Sequence, residues 1–337
     1  MCRPGAGSRG AGSREPDKKM EIQFTFYTIA IAIAKLFVLM LIGYVLYRQR
    51  LINDEFTDIL SLLLVRVVFP ALIISKTITH FSFAEYACWW FLPLAAIVFS
   101  LAGMLIGAVI YGFLKGFKSR REFMCSCGFQ NCGYLPMNLI LFSFAGAIGD
   151  RLLVYMFLFI LGFNVLMWSL VPLFLSGKLR SGFKVNVLLN PPVVATVFSL
   201  LWVAFLGRGS MPPLLMDPLS QLGQAAFPLA MLTLGAYLCR YQAHKPQKKT
   251  PLAACAAVKL LLFPILVLPV LVYVPIASDY KFFLFLQSIM PTAVSLVVIG
   301  SYAGGDNKFF SSIIFYTHLI AIFSIPLWLA VFRIFIR

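Results

Sequence analysis

"NCGYLPMNL", residues 131–139, lies inside a stretch from Phe123 to Ala145 that is otherwise oily and long enough to cross a bilayer. Two asparagines, a glycine and a proline therefore stand where polar groups are expensive. Proline removes a backbone donor and starts a helical segment more readily than it continues one. The stretch reads as a broken helix in the middle of a membrane, and the rest of the chain tells what such a break is for.

Of the 337 residues, 61% are hydrophobic and only 12% charged, which excludes a soluble domain with a charged shell. Runs of about 20 apolar residues suit a hydrocarbon core about 30 Å thick. Ten are placed near 26–47, 57–78, 87–114, 122–145, 152–175, 185–206, 217–239, 252–275, 281–303 and 309–334. The expected fold class is an all-α integral membrane protein. Residues 1–25 read as a disordered or spurious tail: "MCRPGAGSRGAGSREPDKKM" has no apolar run of the kind a signal peptide needs, and Met20 is an alternative start.

The formal charge of +16 is not gathered on one patch, so no nucleic-acid partner is expected. Basic residues fall in alternate loops: Arg48 and Arg50; Lys115, Lys118, Arg120 and Arg121; Lys178, Arg180 and Lys184; Arg240, Lys245, Lys248 and Lys249. The positive-inside rule then puts these loops in the cytoplasm and both termini outside a cell (inner) membrane.

Proline contexts recur between the halves. "RVVFPALIIS" around Pro70 matches "QAAFPLAMLTLGA" around Pro228, and "GYLPMN" around Pro136 matches "SIMPTAVS" around Pro291. "AIGDR" at 147–151 matches "AGGDN" at 303–307, and "SLVP" ending at Pro172 matches "FSIP" ending at Pro326. The offsets are 158, 155, 156 and 154 residues. Two repeats of five spans follow, 26–175 and 185–334, and an odd span number forces the second copy to run inverted. Secondary transporters are built this way, with sites where broken helices meet at midplane.

Pro136 and Pro291 each fall near the middle of their repeat's fourth span, spans 4 and 9 of the chain. Two helix starts near midplane expose unpaired N–H groups and positive dipole ends, an anion site that needs no charged side chain. Asn131, Gly133, Asn138, Gln287, Thr292 and Ser295 accompany the two prolines as candidate substrate-binding residues. Lys35 and Arg66 lie near the centres of spans one and two, where they are expected to be buried and to act electrostatically on the anion pathway or on packing, and Lys259 lies within span eight. For Lys259, burial and snorkelling to the surface stand level. Asn164 and His318 each stand eight residues before their repeat's proline, Pro172 or Pro326. They read as an interhelical hydrogen-bonding pair, and His318 also as a proton carrier, its unperturbed pKa being about 6.5.

A secondary carrier of small organic anions is the expected function. The alternative is a cation/proton or sodium-coupled antiporter or symporter on the same scaffold. Such proteins use intramembrane carboxylates, and no Asp or Glu stands at a span centre. An enzyme or receptor is a third class, but His80, His244 and His318 are scattered without a catalytic constellation. Cys125, Cys127 and Cys132 read as packing residues, and neither metal nor cofactor is expected.

"NCGYLPMNL", "LLNPPVVATVFSLLW" at 188–202, "FPLAMLTLGAYL" at 227–238 and "IMPTAVSLVVIGSYAGGD" at 289–306 together resemble the auxin efflux carrier family, which includes plant PIN carriers and bacterial permeases for malate and related carboxylates. The resemblance runs from about residue 27 to the C-terminus. It implies ten helices in a fold akin to bile acid sodium symporters and sodium/proton antiporters. Spans 1, 2, 6 and 7 would form a scaffold, often homodimeric, and spans 3–5 and 8–10 a transport domain that moves like an elevator. Spans 4 and 9 would cross and bind the substrate's carboxylate. By position Asn131 matches the family's crossover asparagine and Pro291 the proline of the second crossover. Asn138 stands where the first crossover proline is usual, Pro136 two residues earlier, and Asn138 is expected to cap the half-helix that follows. The long cytoplasmic loop of some plant carriers is missing, residues 176–184 being short.

Overall fold

The computed structural model describes residues 26–144, 146–177, 190–242 and 249–335. The tail with Met20, the short loop after Gly177 with its basic residues, and the basic stretch with His244, Lys245 and Lys248 lie outside the described residues. Among the described residues the chain is helical apart from turns, loops and one isolated β-bridge. In chain order the helices are α1 (Phe26–Arg48), α2 (Asp54–His80), α3 (Phe91–Tyr111), α4 (Arg120–Gly128), α5 (Tyr134–Ser143) and α6 (Gly146–Ser176). They continue as α7 (Pro191–Leu206), α8 (Pro213–Tyr241), α9 (Lys249–Tyr273), α10 (Ser278–Ser288), α11 (Ser295–Ala303) and α12 (Asn307–Phe335). Six of them, α2, α3, α6, α8, α9 and α12, are long and apolar enough to cross a membrane.

Three long helices widen into a π-helical turn: Leu64–Val68 in α2, Leu166–Leu170 in α6 and Val258–Leu262 in α9. Each turn is followed within two residues by a proline, Pro70, Pro172 or Pro264. A proline lacks the N–H that would bind the carbonyl four residues back and its ring crowds that carbonyl, so the helix widens ahead of it. The freed group still needs a donor in a membrane. At Pro264 that carbonyl is Leu260 O, and the Trp328 indole Nε1 of α12 donates to it at 2.7 Å.

Along one side α1 runs against α8, and α2 packs on α7 and α8. The α1–α8 approach depends on two glycines, since a Cβ on Gly43 would overlap Leu232 O and one on Gly235 would overlap Met40 O. Along the other side α3 packs on α4 and α6, and α9 and α12 pack together. Between the two sides α6 is buried on every face from Leu152 to Phe159, as befits a helix at the centre of a large core. Outward faces remain apolar, with Val38 and Leu41 on α1, Leu105 on α3 and Phe205 on α7 exposed. Water would disfavour such continuous surfaces and lipid does not, so the molecule is an all-α membrane protein.

Charged groups gather near helix ends. Lys76 and Asp150 pair at 2.7 Å, Arg151 and Asp279 at 2.7 Å, and Arg240 and Asp58 at 2.8 Å. Asp306, just before α12, accepts from Ser119 Oγ and from the Phe309 N–H, while its own N–H donates to Glu122 Oε1.

Candidate functional site

Helix α4 stops at Gly128 and α5 starts at Tyr134; α10 stops at Ser288 and α11 starts at Ser295. The two gaps lie against each other. Gln130 and Thr292 form an antiparallel bridge, in which Asn131 N–H donates to Pro291 O at 2.7 Å and Ala293 N–H donates to Phe129 O at 3.0 Å. Thr292 is held twice more: its N–H donates to Thr317 Oγ1, and its Oγ1 donates to Ser126 O, both at 3.3 Å. Much of the backbone freed by one break is thus satisfied by the other, as burial in a membrane demands.

Not all of it is satisfied. The N–H groups of Gly133, which precedes α5, and of Val294, which precedes α11, donate to no acceptor among the described residues. Both residues line a cavity between the breaks and helices α2, α5, α6 and α7. Its apolar wall includes Phe69, Leu72, Met156, Phe163 and Trp168, and its polar groups include the carboxamides of Gln130, Asn131, Asn164 and Asn190 with Ser295. Among the described residues no Asp, Glu, Lys, Arg or His lines it. Gln130 is fully buried, and neither its Nε2 nor its Oε1 has a partner. Leaving a buried polar group unpaired costs about 1–3 kcal/mol, so a ligand that completes it gains that much in addition to its own contacts.

The local electrostatics favour an anion. The starts of α5 and α11 carry the positive ends of their helix dipoles, while the ends of α4 and α10 carry negative ones. The negative end of α4 has its own cation. Lys259 of α9 is 1% exposed, its Nζ donates to Cys127 O in the last turn of α4 at 3.3 Å, and it sits over the Phe263 ring. With α4 offset in this way, only the negative end of α10 remains against the unpaired N–H groups of two helix starts.

Asn131, Gly133, Asn164 and Ser295, all read from the sequence as candidates, come together on the cavity wall. Pro291 and Thr292 lie directly behind it in the bridge. Gln287 is buried in the last turn of α10 with its amide unpartnered and is not among the lining residues. His318 does not line the cavity; it backs Asn131, whose Nδ2 lies 3.0 Å from His318 Nε2. Asn164 therefore lines the same cavity as Asn131 while His318 lies behind Asn131, and among the described residues no hydrogen bond joins Asn164 to His318.

Two expectations need correction, and one left open, that for Lys259, is decided. Asn138 does not cap α5: Gly133 holds the cap position, and Asn138, a turn inside the helix, donates back to Tyr134 O. The helix begins five residues before the expected spot because Gly133 leaves the helix easily, and Pro136, in the first turn, gives up an N–H that has no intrahelical acceptor there. Lys35 and Arg66 are exposed rather than buried; Lys35 lies over the Phe142 ring at 5.3 Å, and neither reaches the cavity. Lys259 does not snorkel, since its ammonium is enclosed. Gln130 and Asn190 went unselected; the signal for Gln130 was a third carboxamide beside Asn131 in an oily span.

The family model described as membrane transport protein matches the chain twice, over residues 28–183 and 178–329. The chain belongs to this family, that of the auxin efflux carriers. It is a membrane transporter by family. No curated protein matches the chain. The two matches divide the transporter between α6 and α7, so each half carries one broken helix.

Proposed function

We propose that this membrane transporter is a secondary carrier of small organic anions, carboxylates above all. The observation that carries the reading is the pair of unpaired N–H groups, Gly133 and Val294, beside the unpartnered Gln130 amide on a cavity that no charged side chain among the described residues lines. A carboxylate accepts from several donors at once, and hydrogen bonds to a charged group contribute about 1.5–3 kcal/mol each. The apolar wall suits the substrate's body. A coupled cation carrier would want carboxylates at this place; the ion at the break is instead the ammonium of Lys259.

Counting α4 with α5 and α10 with α11 as single interrupted spans gives ten spans in two inverted repeats, and the antiparallel bridge supports a crossing of spans 4 and 9. The recurrence of Asp150 and Asp306 at the starts of α6 and α12 supports the inversion. Helices α1, α2, α7 and α8 would be the scaffold and the rest a transport domain; the cavity lies between α2 and α7 on one side and the breaks on the other, where elevator motion gives alternating access. A second copy docked on the scaffold would cover Arg66 and Lys35, whose exposure to lipid at span centres is costly. Both termini would lie outside the cell membrane.

The test is uptake into proteoliposomes of a panel of mono- and dicarboxylates under imposed proton, sodium and voltage gradients. Saturable carboxylate uptake is expected. Exchange of cations with no carboxylate transported by any member of the panel would replace this reading with the antiporter.

A further inference from the structure

His318 is fully buried in α12, and both of its ring nitrogens are engaged. Nδ1 lies 2.8 Å from Ile314 O, one turn back. A carbonyl only accepts, so Nδ1 carries a proton. Nε2 lies 3.0 Å from Asn131 Nδ2, which only donates, so Nε2 is the acceptor and the ring is neutral. The tautomer fixes the amide in turn: Asn131 gives an N–H to the histidine, and its Oδ1 accepts no hydrogen bond among the described residues. Asn131 lines the cavity, so in this arrangement an incoming carboxylate meets an amide whose oxygen is still free and would repel it.

We propose that His318 is the carrier's proton site, coupled to anion binding through the orientation of the Asn131 amide; this rests on the anion-carrier reading above. A proton arriving from cavity water adds to the Nε2 lone pair. Imidazolium has two donors and no acceptor, so the contact with Nδ2 becomes a clash and the amide turns over. Oδ1 then accepts from Nε2–H, and both hydrogens of Nδ2 become available to the carboxylate. Proton and anion each favour the same amide orientation, and by linkage each raises the affinity of the other by the same factor. The pair crosses together, and loss of the anion returns the proton to water.

Among the described residues nothing else charged competes for this role at the ring. Arg240 of α8 and Asp279 of α10 are committed to ion pairs near helix ends, and Glu122 of α4 accepts from Asp306 N–H. Lys35 of α1, Cys125 and Cys127 of α4, and Cys255 and Lys259 of α9 also lie on elements packed against α12. None of these has a hydrogen bond or ion pair with the imidazole, and among the described residues no charged side chain acts on it. The proton on Nε2 therefore finds its partner only through Asn131 and the ligand.

The probe is benzoate, which remains an anion between about pH 5.5 and 8.5. Binding to purified wild-type protein should weaken as pH rises, towards about tenfold in Kd per pH unit, the limit for one linked proton. In weakly buffered solution with a pH-indicating dye, benzoate should draw up as much as one proton per site. His318→Gln, whose amide can pair with Asn131 in either orientation, should bind benzoate with a flat pH profile and take up no protons. A flat profile and no uptake in the wild type, with benzoate bound, overturn the coupling and leave the anion reading standing. An unchanged slope in His318→Gln overturns it as well. If neither benzoate nor any other carboxylate of the panel binds at any pH, the anion reading itself fails and the coupling with it. The two wild-type measurements decide the matter even if the variant does not fold.

Discussion

The two breaks have the same backbone plan and different side chains. The first, between α4 and α5, brings Gln130 and Asn131 to the cavity; the second, between α10 and α11, reads Ile289, Met290, Pro291, Thr292, Ala293 and Val294 and offers little but backbone and the Ser295 hydroxyl. Each contributes unpaired N–H groups at the start of its second helix, Gly133 or Val294 among them. An inverted repeat can keep in both copies the geometry that makes a midplane site, while side-chain chemistry collects in one. On this account the first break recognises the ligand and the second positions it.

The comparison breaks most readily at Asn131. Asn131→Ala removes a hydrogen-bond partner of a charged ligand, worth about 1.5–3 kcal/mol, and should raise the Kd for a carboxylate roughly tenfold to hundredfold. Binding on size-exclusion-checked protein measures it, and an unchanged Kd would place recognition elsewhere. Gln130→Leu should lose up to about tenfold in affinity while raising thermal stability, because it deletes a buried amide without partners. Those opposite signs separate a ligand-binding role from a packing role; a loss of both stability and affinity would mean that the amide has a structural partner.

At the second break the expected effects are smaller. Thr292→Val keeps the shape but removes the bond to Ser126 O, about 1 kcal/mol of local stability, and should slow transport severalfold with little change in Kd. A Kd loss as large as that of Asn131→Ala would show that the two breaks share recognition equally. Lys35→Met, outside the cavity lining, should change the Kd by less than about twofold, within the spread of independent sites. Abolished binding in folded Lys35→Met protein would move the site to the scaffold.

Much of this was readable in the sequence, for physical reasons. Proline, glycine and asparagine in an oily span stand out because a membrane gives them no solvent, and three proline contexts with one Gly-Asp context at nearly constant offset mark the second copy. Helical phase was not readable. Helix α1 is apolar almost all round, so nothing in the order of residues says which way Lys35 points; it points outward. Lys259, in an equally oily helix, points inward. The contact of Asn131 with His318 spans 187 residues and two interrupted elements, and only the packing of α12 behind the break creates it. Asn190 stands at a helix start, where asparagine reads as an ordinary cap, yet it faces the cavity.

The central claim is that a carboxylate sits at the meeting of the two breaks. A crystal structure with 4-bromobenzoate tests it most directly, since the bromine's anomalous signal locates the ligand without reliance on the shape of its density. The account predicts the carboxylate within hydrogen-bond distance, about 2.7–3.2 Å, of the Gly133 and Val294 N–H groups and the Asn131 amide, with the bromine towards Trp168 and the apolar wall. Bromine density beside Lys35 or Arg66, with the cavity between the breaks empty, would contradict it.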